Sequence, residues 1–268
     1  FQFTLKDKTM KFMIHHQTQY HYEHFAKHCV QYIRMTPQSF GHQYVHHWSI
    51  DGSGNTQQQK DGFGNIWMTC TQHEAHQDLI ICAQGLVELI HPVDYIHDDR
   101  INPAIYLQST FATQCNINMI AFAQQYLTAY NQQGLIDLAH ALALYMPYTT
   151  GATHVNMTAI EAFTQQQGVC QDHTQVFIAM CRYLGFPARY VSGYLYAPEA
   201  IHLASHAWAE IYLNQKWYCF DISNLMFQPN SHIQIAVGRD YFDVAPIRGV
   251  REQGGAETMS CFVHVLAC

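Results

Sequence analysis

Apolar and polar positions alternate at every second residue through much of the first third of the chain, the period of half-buried strands. "QYHYEHFAKHCVQYIRMTPQ", from Gln19, carries several alternating apolar positions and ends at Pro37. "QYVHHWSIDG" sets Tyr44, His46 and Trp48 against Val45, His47 and Ser49, then reaches the turn signal Asp51-Gly52. "KDGFGNIWMTCTQ" opens on two glycine turns, Asp61-Gly62 and Gly64-Asn65, and continues as a strand. "DLIICAQGLVELIH" reads as a strand pair or as one long bulged strand, with Gly85 the bulge candidate. Short strands at this spacing predict an antiparallel sandwich over about residues 10–105.

The period changes after residue 116. Ile117, Ile120, Ala121, Tyr126, Leu127 and Tyr130 recur every three to four residues, as do Leu135, Leu138, Ala139, Leu142, Tyr145 and Met146. This predicts two helices separated by Gln132-Gln133-Gly134, the second ended by Pro147. Thr158-Ala-Ile-Glu161 has the capping-box spacing and predicts a third short helix reaching about Gln167. Val176, Phe177, Met180, Cys181 and Leu184 then form a stripe on a helix stopped by Gly185 and Pro187. Strands follow at "ARYVSGYLY", "HAWAEIYL" and "KWYCFDIS", with a late one at "SCFVHVLA". No internal repeat interrupts this layout.

Composition narrows the class. The 268 residues are 49% hydrophobic and only 12% charged, with formal net charge -7. Such a chain folds around a core. The negative charge and the lack of a basic stripe argue against nucleic acid as a partner. No apolar run is long enough to span a membrane, and residues 1–20 lack the basic-then-apolar pattern of a signal peptide. Nine cysteines without a CxxC form an odd, unpatterned set, which fits a reducing compartment better than a disulfide framework, so a cytoplasmic location is the expectation.

Chemistry concentrates after Gly168. Cys170 stands at the mouth of its helix, where free backbone N–H groups and the positive end of the dipole favour thiolate, the nucleophilic form. The same N–H groups are placed to bind a developing oxyanion. Gly168 permits a tight turn and close approach by a substrate. His206, Trp208 and Glu210 alternate on one strand face, and a near-neutral imidazole is the usual base for a thiol. Asp221 ends a strand just before a loop, where it can hold His206 in one tautomer. Taken singly, each has a bland reading: a core cysteine, one strand histidine among 19, a strand-end turn residue. Their order along the chain and the elements that carry them give the three joint weight.

Gly168-Val-Cys-Gln-Asp, "HAWAEIYL", "WYCFDISN" and "HIQIAVGRDYFDVAPIRGV" resemble the bacterial transglutaminase-like family, whose proteins have a papain-like cysteine-protease core. "RMTPQ", "DGFGN" and "DLIICAQGLVEL" resemble the β-rich region that precedes that core. The resemblance implies an α+β fold, with a helix bundle packed on an antiparallel sheet over residues 106–268 and a β-sandwich-like domain over 1–105. It implies Cys170 as nucleophile, His206 as base and Asp221 as orienting acid, with no cofactor and a peptide or protein substrate. Two departures stand out. Where the family commonly has Arg-Asp-Phe after the cysteine, this chain has Gln171-Asp172-His173; where it commonly has Asp-Pro-Thr-Asn, this chain has Asp221-Ile-Ser-Asn224. The other reading is a non-catalytic module that presents the cleft to a peptide.

Secondary expectations attach to neighbouring residues. Asp172 caps its helix rather than binding substrate. Trp208 belongs to the core. His173, one turn into the helix, is exposed and inert. One of Gln165, Gln166 and Gln167 is a candidate to complete an oxyanion hole, the alternative being a polar loop. Arg239, Asp240 and Arg248 order their loop through ion pairs. His15-His16, His46-His47 and His21-x-x-His24-x-x-x-His28 invite a metal test, but helical spacing is irrelevant if residues 19–31 form a strand, and no Cys/His set has zinc-finger spacing. No metal is expected.

Overall fold

The computed structural model describes residues 8–52, 54–197 and 205–268. Its N-terminal part is organised by one strand, β1 (Lys8–Thr36), of 29 residues. Burial falls on even positions from Phe12 to Tyr22 and on odd positions from Cys29 to Met35. The parity changes before Cys29: His28 has a φ of 48°, in the left-handed region, and pairing skips between His21 and Ala26 on one neighbouring strand and between Lys27 and Val30 on another. An irregularity of this kind bends a strand and re-aims its side chains. The first half of β1 pairs with β5 (His76–His91) and β11 (Glu257–Ala267), the second half with β4 (Ile66–Gln72) and β10 (Ile247–Gln253). β2 (Gln43–Gly52) adds to β5, and β3 (Asn55–Lys60) to β4. Tyr20, Tyr22, Leu79 and Ile81 from one half share a core with Cys29, Ile33, Met35 and Cys70 from the other. The expected layering of strands is thus made by a seven-stranded antiparallel sheet whose central strand runs through both halves.

Two sequence expectations need correction. β10 and β11 come from the far end of the chain, so this sheet is not confined to residues 1–105. β5 is one strand, and the bulge lies across from it in β2, between Val45 and His47, opposite Val87 and Leu86 rather than Gly85. A Cβ on Gly85 would sit 2.2 Å from the His47 carbonyl oxygen, so glycine serves close strand approach rather than a bulge of its own.

The helices follow. α1 (Ile117–Tyr126) and α2 (Gln132–Tyr145) are separated by residues 127–131, not by the Gln132–Gly134 stretch, which forms the first turn of α2. Asn131 caps that turn by accepting from the Gly134 N–H. α3 (Ala159–Gln165) has the expected capping box, with Thr158 and Glu161 bonded reciprocally. α4 (Cys170–Tyr183) is buried on nearly every side from Asp172 to Arg182. Each fully buried large apolar side chain on it, such as Phe177, contributes about 1.5–3 kcal/mol. Gly185, at φ 86°, ends it as expected.

α4 packs on a four-stranded antiparallel sheet in the order β8 (Lys216–Phe220), β7 (His206–Leu213), β6 (Ala188–Leu195), β9 (His232–Gly238). β9 was not singled out as a strand from the sequence. Its free edge is closed by two side-chain amides of the N-terminal region. Gln43 accepts from the Gln234 N–H and donates to its carbonyl oxygen, at 2.8 and 2.9 Å. Asn65 does the same at Val237, at 2.8 Å each way. Asp61, in the "DGFGN" turn, fixes Asn65 by accepting from its backbone and side-chain N–H groups. The edge of β8 is closed by Ile96, which pairs with Trp217. Phe12, Ile14, Val87 and Val263 of the large sheet join one continuous core with α1–α4 and the small sheet. A short helix α5 (Tyr241–Val244) leads from β9 into β10.

Candidate active site

The three residues named from the sequence meet at one end of the small sheet. Cys170 is the first residue of α4, His206 the first of β7, and Asp221 follows β8 directly. His206 Nε2 lies 2.8 Å from Asp221 Oδ2. That bond commits Nε2 to the carboxylate, and the Cys170 side chain lies beside the same imidazole and favours its charged form. Burial works against a charged imidazole, but the hydrogen bonds and charges of Asp221 and Cys170 outweigh it and push His206 up to about 10. Asp221 is fully buried, which alone would favour its neutral form; the hydrogen bonds and charges of His206 and His232 overcome that and hold it well below the usual carboxylate range. A thiol, an imidazole with raised proton affinity and a firmly ionised carboxylate therefore stand in series.

The local frame explains the placement. Asp172 Oδ2 accepts from the Val169 N–H at 2.8 Å and from the Thr153 hydroxyl at 2.7 Å. It caps α4, as expected, and leaves the first turn's other N–H groups free of intrahelical partners. A Cβ on Gly168 would lie 2.6 Å from Asp172 Cβ, so this glycine admits the capping side chain rather than a substrate. Trp208 is in the core, stacked 6.2 Å from His206 and donating Nε1–H to Glu210. Glu210 is itself buried and accepts from Arg189.

Three other expectations fare differently. His173 is buried, not exposed: its Nε2 bonds the Met146 carbonyl oxygen at 2.6 Å and its ring stacks on Tyr148. The buried helix start leaves no solvent face there. Gln165, Gln166 and Gln167 do not line the cleft, and Gln166 donates instead to the Tyr145 hydroxyl. The loop cations make one ion pair, Arg239 with Asp243, while Asp240 caps α5 and Arg248 donates to the Phe242 carbonyl oxygen.

A cleft of about 660 Å³ opens over Cys170 and His206. Tyr148, Tyr190, Tyr241, Leu195 and Pro246 supply much of its wall, and no Asp, Glu, Lys or Arg lines it among the described residues. Burial pushes the Tyr148 phenol up, with the charges of Cys170, Asp221 and Asp172 adding to it, so Tyr148 stays a hydroxyl donor.

Sequence reasoning missed two partners of Asp221. Asn224 donates Nδ2–H to Oδ2 at 2.8 Å and its backbone N–H to Oδ1 at 3.2 Å. His232, the first residue of β9, places Nε2 3.1 Å from Oδ2. Both lay in stretches quoted above, but their contact with Asp221 depends on the turn after β8 and on the β6–β9 pairing. His206, Asp221 and His232 offer ligand atoms within 4.8 Å of one another, close enough to hold a metal ion. Here both imidazoles and Asn224 converge on the single oxygen Oδ2 at hydrogen-bond distances, and a cation would have to displace those protons. The set reads as a hydrogen-bonded carboxylate. The stretch from His21 to His28 lies in β1, so its helical spacing carries no ligand geometry.

Comparison with known proteins agrees with this architecture. Residues 121–222 match the transglutaminase-like superfamily, and residues 12–88 match the bacterial transglutaminase-like N-terminal region. An uncharacterized protein of Mycobacterium leprae is 26% identical over 271 residues, covering 93% of this chain and 96% of that one. An uncharacterized protein of Mycobacterium tuberculosis is 27% identical over 277 residues, covering 90% and 88%. A solved structure from Cytophaga hutchinsonii, described as "a Putative Cysteine Protease", superposes with a TM-score of 0.81 at 19% identity, covering 97% of this chain and 91% of that one, and shares the fold. With a matched core that contains Cys170, His206 and Asp221, behind the matched N-terminal region, this chain belongs to the transglutaminase-like superfamily.

Proposed function

We propose that this protein is a thiol enzyme that acts on peptide or carboxamide carbonyls, most simply as a cysteine protease or amidase. The observation that carries the reading is the juxtaposition of Cys170 with His206, itself hydrogen-bonded to buried Asp221, at the floor of an open cleft. In it the Cys170 thiolate attacks the acyl carbon, and the carbonyl oxygen takes up negative charge beside the free N–H groups at the start of α4. The His206 imidazolium gives its proton to the departing amine, leaving a thioester. Neutral His206 then takes a proton from water, which attacks the thioester; the acid is released and the Cys170 thiolate restored. An amine in place of water would give transamidation. Asp221 stays ionised throughout and holds the imidazole in place.

The uncharged, tyrosine-rich wall favours a substrate segment without ionised side chains next to the bond attacked. A purely binding module would need the cleft but not an imidazole with raised proton affinity on a thiol. The direct test compares wild type with Cys170→Ala, using dimethylcasein cleavage for hydrolysis and dansylcadaverine incorporation for transamidation. The reading predicts that Cys170→Ala loses all turnover while keeping the wild-type melting temperature. Turnover that survives the substitution contradicts it.

A further inference from the structure

Asp221 has more donors than orienting one imidazole requires. Three side-chain N–H groups converge on Oδ2: His206 at 2.8 Å, Asn224 at 2.8 Å and His232 at 3.1 Å. His206 and Asn224 both belong to the open cleft. His232 does not. It is 1% exposed, lies on the interior side of the carboxylate, and packs its ring 4.8 Å from Trp208, the residue that also stacks on His206. Its other nitrogen, Nδ1, is buried with no partner among the described residues. The groups facing it are Asp221, His206 and, from the segment leading into β2, His42. Neither ring nitrogen of buried His42 has a described partner, and burial together with the neighbouring His232 brings its imidazole down to about 4. His42 therefore stays neutral over the ordinary range and adds no charge partner beside His232.

The geometry points to His232 as a positioning residue of the thiol site: an imidazole that donates Nε2–H to Asp221 Oδ2 and clamps it from the interior while His206 uses the same oxygen from the cleft. The inference rests on the function proposed above and adds a member to its machinery. The superfamily match ends at residue 222, before this histidine.

The clamp works in two ways. A carboxylate with a single directional donor can rotate about its Cβ–Cγ bond; donors converging from two sides of Oδ2, with the Asn224 backbone N–H on Oδ1, fix its plane. Each hydrogen bond to a charged acceptor also favours the ionised form.

Two substitutions separate this role from packing. Gln at position 232 can place its amide N–H near the site of the imidazole Nε2–H and keeps a donor to Oδ2. Phe keeps apolar ring volume against Trp208 and removes the donor. The experiment measures iodoacetamide alkylation of the peptide containing Cys170 at about pH 6 in wild type, His232→Gln and His232→Phe, with melting temperatures recorded alongside. Nitrogen-15 correlation spectra of the histidine rings report the His232 tautomer. The inference predicts an Nε2-protonated ring, a Cys170 rate in His232→Phe reduced about ten- to hundredfold, and recovery of most of that rate in His232→Gln. A fast Cys170 in wild type and unchanged in folded His232→Phe overturns the inference and leaves the proposed function standing. A His232→Gln rate as low as that of His232→Phe, or an Nδ1-protonated ring, also overturns it. A wild-type Cys170 no faster than the other cysteines overturns the proposed function, and the inference with it.

Discussion

At the scale of single residues, the site is a contest between burial and pairing. Asp221 is fully enclosed, yet its hydrogen bonds keep it ionised; His206 is largely enclosed, yet its partners keep it charged. This sets a pH dependence of stability. His206 rises from 6.5 to about 10 on folding, so its contribution is complete below pH 6.5 and is lost as pH rises through about 10. Asp221 is lowered from 3.8, so its contribution is present above pH 3.8 and is lost as pH falls through its depressed folded value. Asp221→Asn should therefore lower the melting temperature most between pH 3.8 and 6.5, with the deficit shrinking toward pH 10. Thermal unfolding of both proteins at about pH 5 and pH 9.5 checks this. A deficit as large at the higher pH would contradict a charged His206 in the native state.

The sequence made Cys170, His206 and Asp221 visible because each sits at an element boundary, and boundaries leave marks: a glycine before a helix, alternation in a strand, a polar residue where a strand ends. His232 and Asn224 left no comparable mark. Their meaning depends on which strand lies beside which, and antiparallel pairing between β6 and β9 is not written in either segment alone. His173 was misplaced for the opposite reason. Position on a helix turn says nothing about burial when the helix is enclosed on all sides, as α4 is.

At the scale of elements, the capping signals were the most readable, as at Thr158 and Gly185. The start of α2 was misread because Gly134 looked like a separator. It is a helical residue at a crowded turn: an added Cβ would lie 1.9 Å from the Ala129 carbonyl oxygen. Replacing an ordinary helical glycine with alanine stabilises a protein by about 1 kcal/mol. Here the backbone of residue 129 would have to move, and Gly134→Ala should instead cost about 1–3 kcal/mol. Urea unfolding measures the sign directly, and a gain in stability would contradict the close approach. The long β1 was hidden for a related reason. Its change of parity near His28 breaks the alternation that marks one strand, so the sequence shows only the stretch from Gln19 to Pro37 and not the strand's full length from Lys8.

At the scale of the whole molecule, the N-terminal region and the core are built as one body. Gln43 and Asn65 serve as extra strand partners for β9, the same strand that begins with His232. β10 and β11 return to complete the sheet around β1. Strands give way to helices near residue 105, which is why the sequence suggests a division there, but the chain's last strands are assigned only once their partner β1 is known. No described helix is long and apolar enough to cross a membrane. The fold thus holds the start of α4 and the ends of β7 and β8 at one cleft, and the account of function depends on whether the thiol there is activated by its imidazole.

That dependence is best tested by the rate of alkylation of each cysteine against pH, read by mass spectrometry of the peptides, in wild type and in His206→Ala. An ordinary thiol reacts appreciably only as pH approaches about 8.5. The account predicts that Cys170 reacts far faster than the other eight cysteines well below that pH, and that His206→Ala removes the advantage. If Cys170 reacts like the others in wild type, or equally fast without His206, the thiolate–imidazolium pair does not exist and the proposed chemistry fails with it.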